Sequence, residues 1–351
     1  MPSKLNIEAI DLFCGVGGLT NGFEQSGIKV IAGIDNDPTC KYAFEKNNKA
    51  KFIQADIKEF DNKEINKLFS KNSIRVLAGC APCQPFSSHT NKNKNKDDDK
   101  RWDLLSYFGK MVEETLPEIV SVENVRGLKK TDVFESFVKL LKKNGYKPKF
   151  DVVYAPNFGV PQNRSRLILL ASRIGKINLP DETHKKNEYI TVEKTIGELP
   201  SIKSGEISAI DPLHQSANLT LINQKRIKQS KPKGSWEDWD KNLLPNCYLK
   251  ESGKTYKSVY GRMSWDKVSP TITTQFYNYG TGRFGHPVQN RALSLREGAL
   301  LQTFPKDYDF GNDMSFSTIA RHIGNAVPPL LAKHIGFAII KHVEKIYGKT
   351  K

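Results

Sequence analysis

The chain has 351 residues, 38% hydrophobic and 26% charged, which is enough to bury one or two sizeable cores and excludes a fibrous or largely disordered protein. Its 54 Lys and Arg against 38 Asp and Glu leave a net charge of +16, which favours a polyanionic partner such as nucleic acid, although a Lys- and Asn-rich codon bias has the same effect. No run approaches the roughly 20 apolar residues of a membrane span, residues 1–10 lack the basic-then-apolar order of a secretion signal, and five cysteines are too few for a disulfide framework, so a monomeric cytoplasmic protein with free thiols is expected.

Over the first 172 residues short apolar runs alternate with amphipathic stretches. Residues 7–13, 29–34, 75–81, 118–123, 150–155 and 166–171 read as strands, with a further short run ending at Ala55-Asp56-Ile57. Phe134, Phe137, Val138 and Leu141 share one helical face, and Gly145 stops that helix. The alternation predicts an α/β protein whose parallel sheet is covered on both faces. Residues 174–289 lose the rhythm and hold three of the four tryptophans, Trp236, Trp239 and Trp265, so a second, smaller, irregular domain is expected there. Helical character returns over 291–303, and Pro329 opens a last helix with Leu331, Ile335, Ala338, Ile339 and Val343 on one face. The division expected is 1–173, 174–289 and a return to the first domain over 290–351. The polar run 92–100 reads as a mobile active-site loop.

The chemistry-bearing motifs sit at the predicted strand ends. Asp11-Leu-Phe-Cys-Gly-Val-Gly-Gly18 joins the first strand to a helix, where an open α/β sheet brings a ligand against bare backbone. Asp35 ends the second strand, as a ribose-binding carboxylate would, and Asp56 ends the third, where it can accept from an adenine amino group. Either aspartate alone is more often a cap or turn residue, but two on neighbouring strands beside a Gly turn point to a nucleoside-type cofactor.

Gly79-Cys-Ala-Pro-Cys-Gln-Pro-Phe-Ser-Ser88 follows the fourth strand. Its Cys80–Cys83 pair has no second pair or spaced His to complete a zinc site, so no metal is expected. Pro82 and Pro85 stiffen Cys83 for a role as thiolate nucleophile, whereas Cys80, inside the apolar run, reads as a buried inert cysteine. Glu123 ends the next strand on the same edge and suits a carboxyl acid beside a thiol. Of Arg164 and Arg166, which precede another strand, one is expected to face the cleft and the other to be structural.

In this order the Phe-x-Gly-x-Gly-Gly turn, Pro-Cys-Gln-Pro-Phe-Ser, Glu-Asn-Val, Gln-x-Arg-x-Arg, Arg291-Ala-Leu-Ser-Leu-Arg-Glu297 with Leu301-Gln-Thr-Phe-Pro305, and Gly324-Asn-Ala-Val-Pro328 resemble the DNA (cytosine-5)-methyltransferases, over roughly residues 7–345. The resemblance implies a Rossmann-like S-adenosylmethionine-dependent sheet, with a target recognition domain in the interval that matches the family only at Ser269-Pro-Thr-Ile-Thr273. It assigns Cys83 to attack C6 of a flipped-out cytosine, protonated Glu123 to N3 and the exocyclic amine, Arg166 to O2, and Arg164 to support Arg166. For the cofactor it implies Phe13 stacking on adenine, the backbone of Gly15, Val16, Gly17 and Gly18 near the methionine portion, Asp35 on the ribose, and Asn36, Asp56 and Ile57 around the adenine. Asn325 and Ala326 would close the pocket, while Asp35 stands where the family often has Glu.

The implied partner is double-stranded DNA, with a cognate restriction endonuclease as a functional rather than physical companion. A tRNA methyltransferase of the same family is the nearest alternative. A nicotinamide oxidoreductase or an inactive DNA-binding module leaves Cys83 and Glu123 without a joint task. Base readout is expected within 174–289, with Arg226, Lys228, Gln229, Lys231, Arg262 and Gln275 as candidates.

Overall fold

The computed structural model describes residues 5–82, 103–250, 253 and 257–348. Strand β1 (Ile7–Leu12) is buried along its whole length, which suits a central strand covered on both faces. Its side chains divide by the two-residue period: Ala9 faces one core and Ile10 and Leu12 the other. After it come α1 (Gly18–Ser26), β2 (Lys29–Asp35), α2 (Lys41–Asn47), β3 (Lys51–Gln54), α3 (Asn62–Leu68), β4 (Ile74–Gly79), α4 (Asp103–Thr115), β5 (Ile119–Val125), α5 (Asp132–Lys143) and β6 (Lys147–Tyr154). The short β7 (Gln162–Asn163) leads into β8 (Ser165–Ser172).

Seven strands form one sheet in the order β3-β2-β1-β4-β5-β8-β6. Strands β1 to β5 pair in parallel, but β8 is antiparallel to both β5 and β6, so the all-parallel expectation is corrected. The cause is chain length between strands. Helix α5 carries the chain over from β5 to β6 and leaves a gap between them, and the short link from β6 to β8, which holds a 3₁₀ turn (Ala155–Phe158) but no α-helix, permits only a hairpin-like reversal into that gap.

Helices α4 and α5 cover one face through Phe108, Met111, Phe137 and Leu141. Thr131 caps α5 by accepting from the Phe134 amide, and Gly145, at φ 81°, ends it. On the other face α1 packs against α10 (Pro329–Tyr347), so closely that a Cβ on Gly22 would lie 2.2 Å from the Pro329 carbonyl oxygen. With α9 (Phe316–Asn325), α10 makes a segment long and apolar enough to cross a membrane, but the two helices break at residues 326–328 and Ile323, Leu331, Ile335 and Ile339 are core residues.

The interval 174–289 contains α6 (Val192–Ile196), α7 (Leu221–Gln229) and β9 (Ser269–Pro270), and α8 (Leu295–Leu301) follows it. Its flanks pack into the main body: Ile177, Val192, Ile196, Ile272 and Phe276 belong to the first core. Its middle has a core of its own, built from Leu219, Ile227, Trp236, Trp239, Leu243 and Tyr248 with Tyr279 and Ala292. Trp236 stacks on Tyr248 at 4.6 Å, and the Arg226 guanidinium lies 5.3 Å from the Trp239 ring centroid. This lobe is held mainly by aromatics and 3₁₀ turns, so no period marks it in the sequence.

Candidate active site

The turn after β1 is built for close backbone approach. Phe13, Gly15 and Gly17 all have left-handed φ angles, 58°, 52° and 88°. Gly17 precedes α1, and a Cβ there would meet Asn48 Nδ2 at 2.5 Å. A Cβ on Gly18 would meet the Val327 carbonyl oxygen at 2.4 Å and the Ala326 Cβ at 3.3 Å, so the end of α9 is seated directly on this turn. Asn325 beside it is exposed and Ala326 half-buried.

Asp35 links the turn to its neighbours. Its Oδ2 accepts from the Gly15 amide at 2.8 Å and its Oδ1 from the Asp37 amide at 2.9 Å, and burial raises its pKa. Its carbonyl accepts from the Ala55 amide at 3.0 Å, which brings Asp56 and buried Ile57 alongside. Asp56 Oδ1 takes the Lys58 amide at 2.9 Å, while Asn36 is exposed.

A clasp joins this edge to α9. Asp37 pairs with Arg321 at 2.8 Å, and Thr39 Oγ1 lies 2.9 Å from His322 Nε2. Burial works to raise the Asp37 pKa, but Thr39 and Arg321 hold it down at about 2. Asp37, Cys40 and His322 offer ligand-type atoms within 4.8 Å of one another, yet the Arg321 guanidinium already neutralises Asp37.

The second group of residues lies at the ends of β4 and β5. Glu123 is 2% exposed; its Oε2 accepts from the Cys80 thiol at 3.0 Å and its Oε1 lies 3.1 Å from Arg166 Nε. Cys80 is half-buried and its thiol donates to Glu123, so the expectation that it is fully buried is corrected. Asn124 Nδ2 donates to the Ala81 carbonyl at 2.9 Å and ties the exit of β4 to that of β5. Cys83 and the run 92–100 lie outside the described residues.

The two arginines take different roles although a regular pleat would put residues two apart on one face, because Arg164 lies between β7 and β8 rather than within a strand. Arg166 faces Glu123. Arg164 is buried beneath, donating to the Ile272 carbonyl at 3.2 Å and the Ala326 carbonyl at 3.4 Å, and burial pulls its pKa down to about 9. In the sequence the surrounding amides stood only as members of motifs, without a role. Gln162 Oε1 accepts from the Ile272 amide at 3.1 Å, and Gln302 Nε2 donates to the Ala326 carbonyl at 3.0 Å. Strand β7 pairs with β9 in parallel, so the 269–273 motif inside the irregular interval belongs physically to this site. Its family-like spacing was the only available signal.

Three base-reading candidates are corrected. Arg262 is 3% exposed and serves the carbonyls of Ser230, His286 and Gln289 at 2.8 to 2.9 Å, a scaffold role. Arg226 donates to the Leu243 carbonyl at 2.8 Å and packs on Trp239. Gln229 is committed to Asp240, which leaves Lys228, Lys231 and Gln275 exposed. Beneath the lobe, fully buried Arg291 grips Glu297 with two hydrogen bonds of 2.7 Å, and Glu297 completes a capping box with Ser294 on α8. Burial opposes ionisation of Glu297, but Arg291 outweighs it and holds the pKa below the ordinary carboxylate value.

Residues 7–341 match the family model for C-5 cytosine-specific DNA methylases. The chain is 47% identical over 97% of its length, and 97% of the other's, to the type II methylase M.HgiDII of Herpetosiphon aurantiacus. It is 31% identical over 96% of its length, and 87% of the other's, to the type II methyltransferase M1.HphI of Haemophilus parahaemolyticus. The fold superposes on the crystal structure of a candidate DNA modification methyltransferase encoded within an Escherichia coli prophage, with a TM-score of 0.73 at 21% identity, covering 96% of this chain and 99% of that one. With the Gly turn and Asp35 on one stretch of the sheet edge and Glu123 with Arg166 on the next, the chain belongs to the C-5 cytosine-specific DNA methylase family and is a DNA cytosine-5 methyltransferase.

Proposed function

We propose that the protein methylates C5 of a flipped-out cytosine in a specific double-stranded DNA sequence by covalent catalysis from Cys83, as the modification half of a pair with a restriction endonuclease. The observation that carries the reading is the meeting of Glu123, Arg166 and the β4 exit leading to Cys83 at one sheet edge, beside the Gly turn. Cytosine C5 is a poor carbon nucleophile. Addition of the Cys83 thiolate to C6 forms an S–C bond and turns C5 into an enamine carbon. Neutral Glu123 donates to N3, where negative charge develops, and its other oxygen accepts from the exocyclic amine. Arg166 donates to O2, and Arg164, fixed to Ile272 and Ala326, keeps Arg166 in place. Loss of the C5 proton to a base and departure of the Cys83 thiolate from C6 restore the aromatic ring, and N3 returns its proton to Glu123.

The residues present fit S-adenosylmethionine. The left-handed turn leaves open space where a Cβ on Gly15 would stand, the Asp35 oxygens keep unused lone pairs, and the buried Asp11 Oδ1 has no hydrogen-bond partner. When bound, S-adenosylmethionine supplies the electrophilic methyl group. Phe13 would stack on the adenine, the Gly15–Gly18 backbone with Val16 would border the methionine portion, and Asp35 would accept from the ribose. Asn36, Asp56 and Ile57 would border the adenine, with Asn325 and Ala326 closing the pocket. Base readout falls to the lobe with the aromatic core, through exposed side chains such as Lys228 and Lys231, with exposed Gln275 on the adjoining flank.

The test is adduct formation with DNA containing 5-fluorocytosine, whose fluorine cannot leave as a proton does. The parent protein with S-adenosylmethionine should give a stable adduct on Cys83. Cys83→Ser should give none and transfer no methyl groups, while still binding DNA and cofactor. An active Cys83→Ser, an adduct mapped to Cys80, or efficient methylation of tRNA in preference to DNA defeats the reading.

A further inference from the structure

The Gly turn is held from behind by a residue from the far end of the chain. Helix α1 begins with the Asn21 amide donating to the Gly17 carbonyl at 2.8 Å, one residue past Val16. The Val16 carbonyl accepts instead from the Tyr308 hydroxyl. Val16 and Tyr308 are each 2% exposed, so water does not replace this bond.

Tyr308 is itself fixed before any ligand arrives. Its ring packs between Phe304 and Phe310, with centroids 4.6 and 5.1 Å away. The next residue is locked to α2 in both directions: Asn47 Nδ2 donates to the Asp309 carbonyl at 2.7 Å and the Asp309 amide donates to Asn47 Oδ1 at 2.8 Å. Asn48 Nδ2 donates to the Tyr308 hydroxyl at 3.3 Å, which leaves the phenolic proton for Val16. Tyr308 Oη also stands 3.3 Å from where a Cβ on Gly17 would be, so the tyrosine and the left-handed glycine are fitted to each other.

We propose that Tyr308 is a positioning residue for the cofactor turn: it holds the Val16–Gly17 peptide in its binding shape, and its removal weakens cofactor affinity while sparing covalent chemistry at the cytosine. The inference rests on the reading that this turn receives S-adenosylmethionine. Tyr308→Phe removes only the hydroxyl and leaves a buried carbonyl without its donor.

Titration calorimetry with S-adenosylmethionine alone should show binding to the parent and roughly 5- to 30-fold weaker binding to Tyr308→Phe, from the usual penalty for one unsatisfied buried carbonyl. The KM for S-adenosylmethionine should rise while kcat at saturation stays within about twofold, since equal loss of kcat would mark a transition-state contact. Amide exchange over residues 15–20 of the ligand-free protein should be faster than in the parent. Asn47→Ala, which loosens the 307–309 loop and keeps the hydroxyl, should change affinity and exchange in the same direction; it also decides the matter if Tyr308→Phe does not fold. Parent protein that fails to bind S-adenosylmethionine defeats the functional reading itself. A binding parent, with folded variants that match it in affinity and exchange, overturns the role given to Tyr308.

Discussion

Asp11 offers a quantitative check on the physics of the site. It is 1% exposed at the end of β1, with Oδ2 accepting from Thr20 Oγ1 at 2.7 Å and Oδ1 unpartnered. Burial pushes its carboxyl up to about 7, and the neighbouring Asp35 charge adds to the rise while Thr20 opposes it. Between about pH 4 and pH 7 the folded protein then holds a proton that the unfolded chain has released, so this group's contribution to stability falls as pH rises through that window and levels off above about 7. A shift of about 3 units at about 1.4 kcal/mol each makes the loss about 4 kcal/mol, of which about 2.6 kcal/mol falls between pH 5 and 8. Asp11→Asn is neutral throughout and escapes it. His286 and His322, both lowered to about 4 chiefly by burial, act in the opposite sense, since stability is lost below pH 6.5 as the unfolded imidazoles take up protons. Both histidines are present in parent and variant, so they cancel in the difference. Urea unfolding of the two proteins at pH 5, 6, 7 and 8 should show Asp11→Asn gaining on the parent by about 2.6 kcal/mol as pH rises. A difference constant to within about 0.5 kcal/mol over that range would refute the reasoning.

Four further outcomes follow from the site and the lobe. Glu123→Gln keeps the side-chain shape but cannot deliver an acid proton, so kcat should fall by roughly 10²- to 10⁴-fold while DNA affinity, measured by fluorescence anisotropy, changes little; near-parental turnover would remove Glu123 from the acid role. Glu297→Gln leaves Arg291 charged and buried, and urea unfolding should show a loss of about 3–5 kcal/mol, whereas a loss under about 1 kcal/mol would mean that the pair is solvated in solution. Lys228→Ala should leave stability unchanged and flatten the salt dependence of DNA binding by about 0.9 if Lys228 meets a phosphate. Arg262→Ala should instead lower the melting temperature, because four backbone carbonyls lose their donor.

What was legible in the sequence is what simple periods and short-range chemistry encode. The runs at β1, β4, β5 and β8 were readable to within a few residues because strands buried on both faces are nearly continuous in apolar character, whereas the edge strand β6, with no fully buried residue, showed only its last half. The face of α5 was readable because Phe134, Phe137, Val138 and Leu141 recur at helical spacing and all four are buried. Strand direction was not, since an apolar run reads the same for β8 whether it runs with β5 or against it. Only the absence of a crossover helix between β6 and β8 carried that information. The motif residues sit at strand ends, where the Gly turn and Asp35 are joined through the Gly15 amide. Their types were legible because that chemistry tolerates few substitutes.

The unreadable part has a common physical cause: its contacts join residues far apart in sequence and use backbone atoms, whose partners no side-chain pattern announces. Arg262 looked like a base reader because a guanidinium is the commonest partner of guanine, yet its donors are taken by carbonyls from two other segments. Tyr308 looked like any core aromatic, and its one distinguishing atom points at a carbonyl 292 positions away. The same logic explains the interval 174–289. Its flanks complete the main core and its middle closes around stacked aromatics, so its boundaries follow packing rather than any change in composition. A lobe closed in this way can exchange its exposed residues, Lys228 and Lys231 among them, without disturbing Trp236, Trp239 or the Arg291–Glu297 anchor. That freedom is what a surface needs if target sequence is to vary while the chemistry at Glu123 and Arg166 stays fixed.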